Sequence, residues 1–335
     1  MSVWSQQYGW PEQQPITSFA ELQRKALDTP PLAIAIAGAD DAEVLISADQ
    51  ARRAGLINGA LLVGERRRIE QRLQSLGIER GRWQIEQPDN HADSSAIAAL
   101  AVAAVRRNAA QILVKGAIDS ASYFRAILHR ETGLRRSELL SNLTLFELPG
   151  YPKLLGVTDN AILLEPNLRQ KKALIENSRD LFSALQIAPV KVAVVAAVEK
   201  ETLSMVATTD GAWLRKMNQK GQMAGFIVDG PFGYDACICR ESALKKGLGD
   251  SVVAGDPDLL LMPNLEAANI LGKAYKYHAQ ADSGGLVLGA SAPVVLNSRS
   301  DSARRRFNSL LLAKVMAAQG RTDPAARDGP VDASL

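Results

Sequence analysis

The chain has 335 residues, enough for two domains with cores of their own. Hydrophobic residues make up 47% and charged residues 22%, the balance of a soluble globular protein, and an aromatic content of 5% argues against an aromatic-rich β-sandwich. A formal charge of +3, without a dense basic stripe interleaved with aromatics, excludes nucleic acid as an expected partner, and no apolar run reaches the length of a membrane span.

In chain order, Thr17 or Ser18 can cap a helix over FAELQRKAL, which Pro30 and Pro31 stop. LAIAIAGADDAEV reads as a strand, a glycine turn and the acidic start of a helix. GALLVG (59–64) followed by RRRIEQRLQSLG repeats that pattern, and QILVKG (111–116), after the alanine-rich SSAIAALAVAAVRRN, repeats it again. Continuous apolar runs between amphipathic helices predict a mainly parallel sheet covered on both faces. A second series opens after Pro149-Gly150-Tyr151-Pro152. There AILLEPNLRQKKALIENSRDLFSAL predicts a short strand and a long helix, and KVAVVAAVE a buried strand. GFIVDGPFGYDACICRESALKKG predicts a strand, a loop and a helix, a theme that DLLLMPNLEAANILGKAYKYHA repeats. GGLVLGASAPVVLNSRSDS closes the series. ARRRFNSLLLAKVMAAQ is a terminal helix whose Phe307, Leu310, Leu311 and Val315 follow helical spacing and need a partner surface. The expected organisation is two α/β domains: residues 1–152, completed by the C-terminal segment 296–335, and residues 153–295.

The N-terminal MSVWSQQYGWPEQQ has neither a basic region nor an apolar core of the signal-peptide kind, so a cytoplasmic location is expected. Cys237 and Cys239 are too close in sequence to bridge well, and three histidines give no metal-ligand spacing; both cysteines read as reduced and no metal is expected.

Chemistry concentrates at the ends of apolar runs. Gly38, Gly64 and Gly116 stand at strand-to-helix turns, where doubly wound sheets bind ligands, yet none belongs to a dinucleotide fingerprint or a P-loop. Lys115 ends a buried strand and so faces the ligand side of such a sheet. Arg125 lies on the following helix, and Arg135 follows a glycine turn. Forked arginine donors suit phosphate. In NSRSDSARRR, Ser298 and Arg299 end an apolar run just before a helix, where a hydroxyl, a guanidinium and backbone donors can hold an anion. The same spacing equally fits a Ser/Asp helix cap with an arginine paired to Asp301.

Four stretches together resemble the phosphate acetyl/butyryltransferase family, and its butyryl branch most of all: PDLLLMPNLEAANILGKAYKY, GGLVLGASAPVVLNSRSDSA, VKGAIDSASYFRAIL and KVAVVAAVEKETLSMVATTDGAWLRKM…GFIVDGPFGYDACI. The likeness runs from about Ser18 to about Ala318. It implies two α/β domains with mainly parallel sheets flanked by helices, a fold like that of isocitrate and isopropylmalate dehydrogenases, with the active site in the interdomain cleft. It also implies acyl transfer between coenzyme A and inorganic phosphate, with acyl-CoA, CoA and phosphate as the partners. No cofactor is implied beyond CoA as substrate, and a homodimer is expected. The family's serine–arginine pair matches Ser298 and Arg299, and its arginines after the first-domain strand match Arg125 and Arg135. Arg299 and Ser298, with Asp301, are the expected catalytic residues, and Lys115, Arg125, Arg135 and Asn269 the expected substrate-binding ones.

The family's proline-acid-leucine-glutamate-alanine-glycine-asparagine run appears here as Pro263 to Asn269, with Asn264 and Ala268 replacing an acid and a glycine. In the acetyl branch a carboxylate seven residues after the serine is the proposed thiol base; here that position is Arg305 and Asp301 is the nearest acid. Asp301 can cap the helix, orient Arg299 or take the thiol proton. A catalytically silent CoA- or metabolite-binding protein of the same fold is the alternative reading.

Overall fold

The computed structural model describes residues 14–90 and 93–322. By internal contacts the chain divides into a split unit, residues 22–140 with 284–322, and a central unit, residues 14–21 with 141–283. Helix α1 (Phe19–Leu27) starts at Ser18, whose hydroxyl accepts the Glu21 N–H at 3.2 Å while the Glu21 carboxylate takes the Thr17 N–H at 2.7 Å. The two contacts tie the residues before the helix to its first turn.

The split unit alternates β1 (Leu32–Ala37), α2 (Ala42–Arg53), β2 (Ile57–Val63), α3 (Arg66–Ser75), β3 (Trp83–Glu86), α4 (Ser94–Arg106), β4 (Ile112–Lys115) and α5 (Ser120–Leu128). Asp41, Asp93 and Asp119 cap α2, α4 and α5, each carboxylate accepting a backbone N–H of the first turn.

The central unit carries β5 (Ser141–Glu147), β6 (Leu155–Thr158), α6 (Leu168–Asn177), α7 (Arg179–Ala184), β7 (Val190–Val195), α8 (Val206–Gln219), β8 (Phe226–Phe232), α9 (Tyr234–Ile238), α10 (Arg240–Lys245), β9 (Leu259–Leu261) and α11 (Leu265–Tyr277). After β10 (Asp282–Leu288), β11 (Val294–Val295) and α12 (Ala303–Thr322) complete the split unit.

The split unit orders its strands β3–β2–β1–β4–β11–β10, parallel except for β10 against β11. The central unit orders its strands β5–β6–β9–β7–β8, parallel except for β5 against β6. Helices pack on these strands, among them α4 on β1 and β2, α8 on β7 and β8, and α12 on β4 and β11.

Three local differences from the sequence expectation have physical causes. Pro149-Gly150 is not a domain junction but lies in the connection of the antiparallel pair β5–β6, whose register matches Phe146 with Leu155; the units change at 140/141. AILL forms no strand, because the Asp159 carboxylate gathers the N–H groups of Ala161 and Ile162 at 2.8 and 2.9 Å and turns the chain. The terminal helix is not a one-sided stripe: Asn308 to Val315 are all buried while Phe307 is only half-buried. Gly284 makes room for it, since a Cβ there would stand 2.9 Å from the Asn308 carbonyl carbon. Among the described residues no helix is long and apolar enough to cross a membrane.

Candidate active site

The site begins where two parallel strands end together. Ala37 of β1 is in register with Lys115 of β4, and the next residue of each strand is a glycine. The Gly116 N–H donates to the Ala37 carbonyl at 2.8 Å and the Ala117 N–H to the Gly38 carbonyl at 2.7 Å. A Cβ on Gly116 would fall 2.0 Å from the Gly38 oxygen, and Gly38 itself sits at φ +78°. Both positions therefore require glycine, one for space and one for backbone conformation. The result is a tight shelf at the carboxyl ends of β1 and β4, with Lys115 half-buried on it and the α2 cap Asp41 close by.

The turn after β11 stands beside that shelf. The fully buried Tyr123 of α5 donates its hydroxyl to the Val295 carbonyl at 3.3 Å, fixing the strand end. The Asp301 carboxylate then accepts the Ser298 N–H at 3.0 Å and the Asn297 amide at 3.4 Å, while the Asp301 N–H returns to the Ser298 carbonyl at 3.0 Å. Arg306, only 5% exposed, clamps the turn from α12 by donating to the carbonyls of Asp301 (3.2 Å) and Ser298 (3.1 Å). With its backbone pinned from inside, the turn leaves Ser298, Arg299 and Ser300 exposed. The Ser298 and Ser300 hydroxyls lie 3.0 Å apart. Among the described residues Arg299 makes no hydrogen bond or ion pair.

Electrostatics join the two pieces. Burial lowers the Lys115 pKa, the guanidiniums of Arg299 and Arg306 lower it further, and Asp119 and Asp41 act in the opposite sense. Asp119 itself is held below the usual carboxylate range by the Ser122 N–H it caps. Same-sign charges thus converge on one shelf with their nearest acids already committed to helix N-termini. Such a group is unfavourable alone and is favoured by an anion.

The structure brings Lys115, Ser298, Arg299 and Asp301 together, and it corrects the alternatives for Asp301. Asp301 is not the cap of α12; that position is Ser302, whose hydroxyl faces the Arg305 N–H at 3.5 Å. Asp301 is 5% exposed and braces the turn. Arg125 is exposed in the last turn of α5, without a hydrogen bond or ion pair among the described residues. Arg135 bends its Nε to the Ser137 carbonyl at 3.3 Å, and its backbone bridges Ala290. Asn269 belongs to the central unit, where its amide donates to the Asn160 carbonyl at 3.1 Å. The replaced acid Asn264 is the cap of α11, accepting the Ala267 N–H at 2.9 Å, a task asparagine and aspartate perform alike. Ala268 is fully buried. Sequence reasoning missed Arg306, Asp41 and Asp119. The available signal for Arg306 was its place four residues before Leu310, on the helix face that goes inward.

An α/β unit with a cationic shelf at its strand ends and an exposed guanidinium on a braced turn defines an anion-handling enzyme class. Residues 94–314 match the family described as Phosphate acetyl/butaryl transferase. The chain is 35% identical over 304 residues to the phosphate butyryltransferase of Clostridium beijerinckii, covering 91% of this chain and 99% of the relative. It is 34% identical over 313 residues to the phosphate acetyltransferase of Rhizobium meliloti, covering 93% and 96%. A branched-chain phosphotransacylase from Enterococcus faecalis superposes with a TM-score of 0.75 at 25% identity, covering 85% of this chain and 99% of that one. The chain belongs to the phosphate acetyl/butyryltransferase family and is an enzyme of the phosphate acyltransferase type.

Proposed function

We propose that the chain moves a short acyl group between the sulfur of coenzyme A and inorganic phosphate, and that it prefers chains of about three or four carbons to acetyl, a difference of one or two methylenes worth about 1–3 kcal/mol each. A phosphate oxygen attacks the thioester carbonyl, the carbon–sulfur bond breaks, and acyl phosphate and CoA leave. The thiol pKa of roughly 8.5 makes the thiolate a good leaving group, so the step requires alignment and oxyanion donors rather than a resident cofactor or a covalent enzyme intermediate. Arg299 and Ser298 fit that work. Arg125, Arg135 and Asn269 are assigned to substrate binding by the family likeness alone, and the dehydrogenase-like fold of that likeness goes with it.

The observation that carries the reading is the uncommitted Arg299 guanidinium beside half-buried Lys115. A homodimer is part of the proposal: Leu203 is 90%, Val206 66% and Trp213 50% exposed along the start and one face of α8, apolar surface that a second copy would cover. The test is thiol release from two-, three- and four-carbon acyl-CoAs with and without phosphate, with light scattering on the same preparation. Phosphate-dependent release, fastest with three or four carbons, and a dimeric mass are expected. Equal or better turnover of acetyl-CoA would overturn the chain preference, absence of phosphate dependence the whole reading, and a 36.0 kDa species alone the dimer.

A further inference from the structure

Transfer to and from sulfur needs a partner for the thiol proton, and the sequence offers Asp301. The structure withdraws it: its carboxylate is buried and braces the Ser298 turn. Asp41 and Asp119 each hold a helix N-terminus, through Val44 and Ser122 respectively. Guanidinium groups are not proton carriers in proteins, which leaves the two arginines of the turn out of that role. Asp41, Asp119, Arg299 and Arg306 are the charged groups that act on Lys115, from the β1–α2 turn, the α5 cap, the 297–302 turn and α12. Among the described residues Lys115 itself makes one hydrogen bond, from Nζ to the Gly116 carbonyl at 3.3 Å, and an ammonium has three donors.

Resting on the acyltransfer reading above, we propose that Lys115 is the proton-transfer group for the sulfur. When phosphate attacks the thioester, the Lys115 ammonium gives its proton to the departing CoA thiolate and becomes a neutral amine. In the opposite direction the neutral amine takes the S–H proton, the thiolate forms the new carbon–sulfur bond, and the carbon–oxygen bond to phosphate breaks. The ammonium formed in that direction returns its proton to the solvent or the released phosphate, and the amine formed in the forward direction regains one from the solvent, so each turnover closes.

The surroundings suit that exchange. Burial and the two guanidiniums favour the neutral amine and bring Lys115 nearer to a thiol in acidity, and proton transfer is most effective between groups of similar pKa. The position is mechanically fixed as well, because the Gly38–Gly116 contact and the β1–β4 register hold the strand end that carries it.

The experiment compares the wild type with Lys115→Arg, which keeps the charge but does not release a proton, and Lys115→Met, which keeps the stem alone. Each is assayed in both directions across pH, and in the forward direction also with an acyl thioester of a strongly acidic aryl thiol. General acid–base contributions run to about 10²–10⁴. Lys115→Arg is therefore expected to lose roughly 10²-fold or more in kcat for acyl phosphate plus CoA, with KM for acyl phosphate little changed. The loss should shrink as pH approaches the thiol pKa of roughly 8.5, and the matching loss in the forward direction with acyl-CoA should largely vanish with the aryl thioester, whose leaving group needs no proton. Lys115→Met should show the same dependence on the leaving group on top of any loss in phosphate binding, and a small primary amine added to it should restore part of the rate. Near wild-type kcat in Lys115→Arg, or a deficit in Lys115→Met indifferent to pH, leaving group and added amine, would overturn the assignment. A wild type without phosphate-dependent thiol release would instead bring down the acyltransfer reading itself.

Discussion

The lysines of the two units are partnered in opposite ways. In the central unit each prominent lysine has its acid. Lys171 of α6 meets Asp210 of α8 at 2.6 Å with side-chain exposures of 4% and 11%. Lys153 and Lys191 share Asp256 at 2.9 and 2.6 Å, and Lys153 adds Asp258 at 2.7 Å. Lys246 spans Glu199 and Asp235 at 2.7 Å each. In the split unit Lys115 faces two guanidiniums instead, and the acids within reach are spent on backbone N–H groups. A paired buried charge holds a fold together, whereas a same-sign group kept near a strand end is tolerated for what it binds. On the proposed function, the comparison therefore sets structural charge in the central unit against anion-binding charge in the split unit.

The sharpest way to break it is to remove one partner of the fully buried pair. Lys171→Met leaves Asp210 buried without its cation, and such losses cost about 3–5 kcal/mol. Denaturant melts should show that loss, and a second change, Asp210→Leu, should recover most of it. A loss below about 1 kcal/mol would mean that the pair is as solvated as a surface bridge.

The opposite result is expected at Arg299. Because it bonds no described side chain, Arg299→Ala should leave the melting temperature unchanged while turnover falls by roughly 10²–10³, the scale for one electrostatic stabiliser. Lysine should substitute poorly, since a point charge does not reproduce forked contacts. Full activity in Arg299→Ala would remove the phosphate role from the 298–300 turn and with it the contrast between the units.

Much of this arrangement was legible in the chain. The alternating apolar runs predicted the parallel strands, and Lys115 with Ser298 and Arg299 stood out as cations and a hydroxyl at run ends. What escaped was pairwise. Gly38 and Gly116 each read as a local turn, but Gly116 must be glycine because of Gly38, 78 residues earlier in the chain, through a 2.0 Å approach that no local pattern encodes. Arg306 sits in a basic run that looks solvated, yet the helix turns that residue inward to hold two carbonyls. Asp301 looked like a cap, an orienter of Arg299 or a base because its spacing allows all three; only the structure shows its carboxylate turned back towards the Ser298 N–H.

One cation fits neither rule and sharpens the comparison by testing its limit. Lys314 of α12 is 1% exposed, and its Nζ has no hydrogen-bond partner among the described residues. Burial alone lowers its pKa, with no neighbouring charge contributing. It lies in the stretch of α12 buried from Asn308 to Val315, on a helix that packs against α2, and a buried polar group left unsatisfied costs about 1–3 kcal/mol. Lys314→Met, close in volume and flexible enough to fill the same space, should therefore stabilise the protein by about that amount at neutral pH. The sign with pH is fixed. A lysine whose folded pKa lies below its unfolded value binds fewer protons when folded, so wild-type stability rises with pH between the two values. The advantage of Lys314→Met should accordingly narrow as pH climbs towards the ordinary lysine value of 10.5. Melts of both proteins at neutral and alkaline pH read this directly, and turnover per folded molecule should not change. A destabilised Lys314→Met would show that the amine has a partner in solution, and that buried cations of the split unit are satisfied as fully as those of the central one.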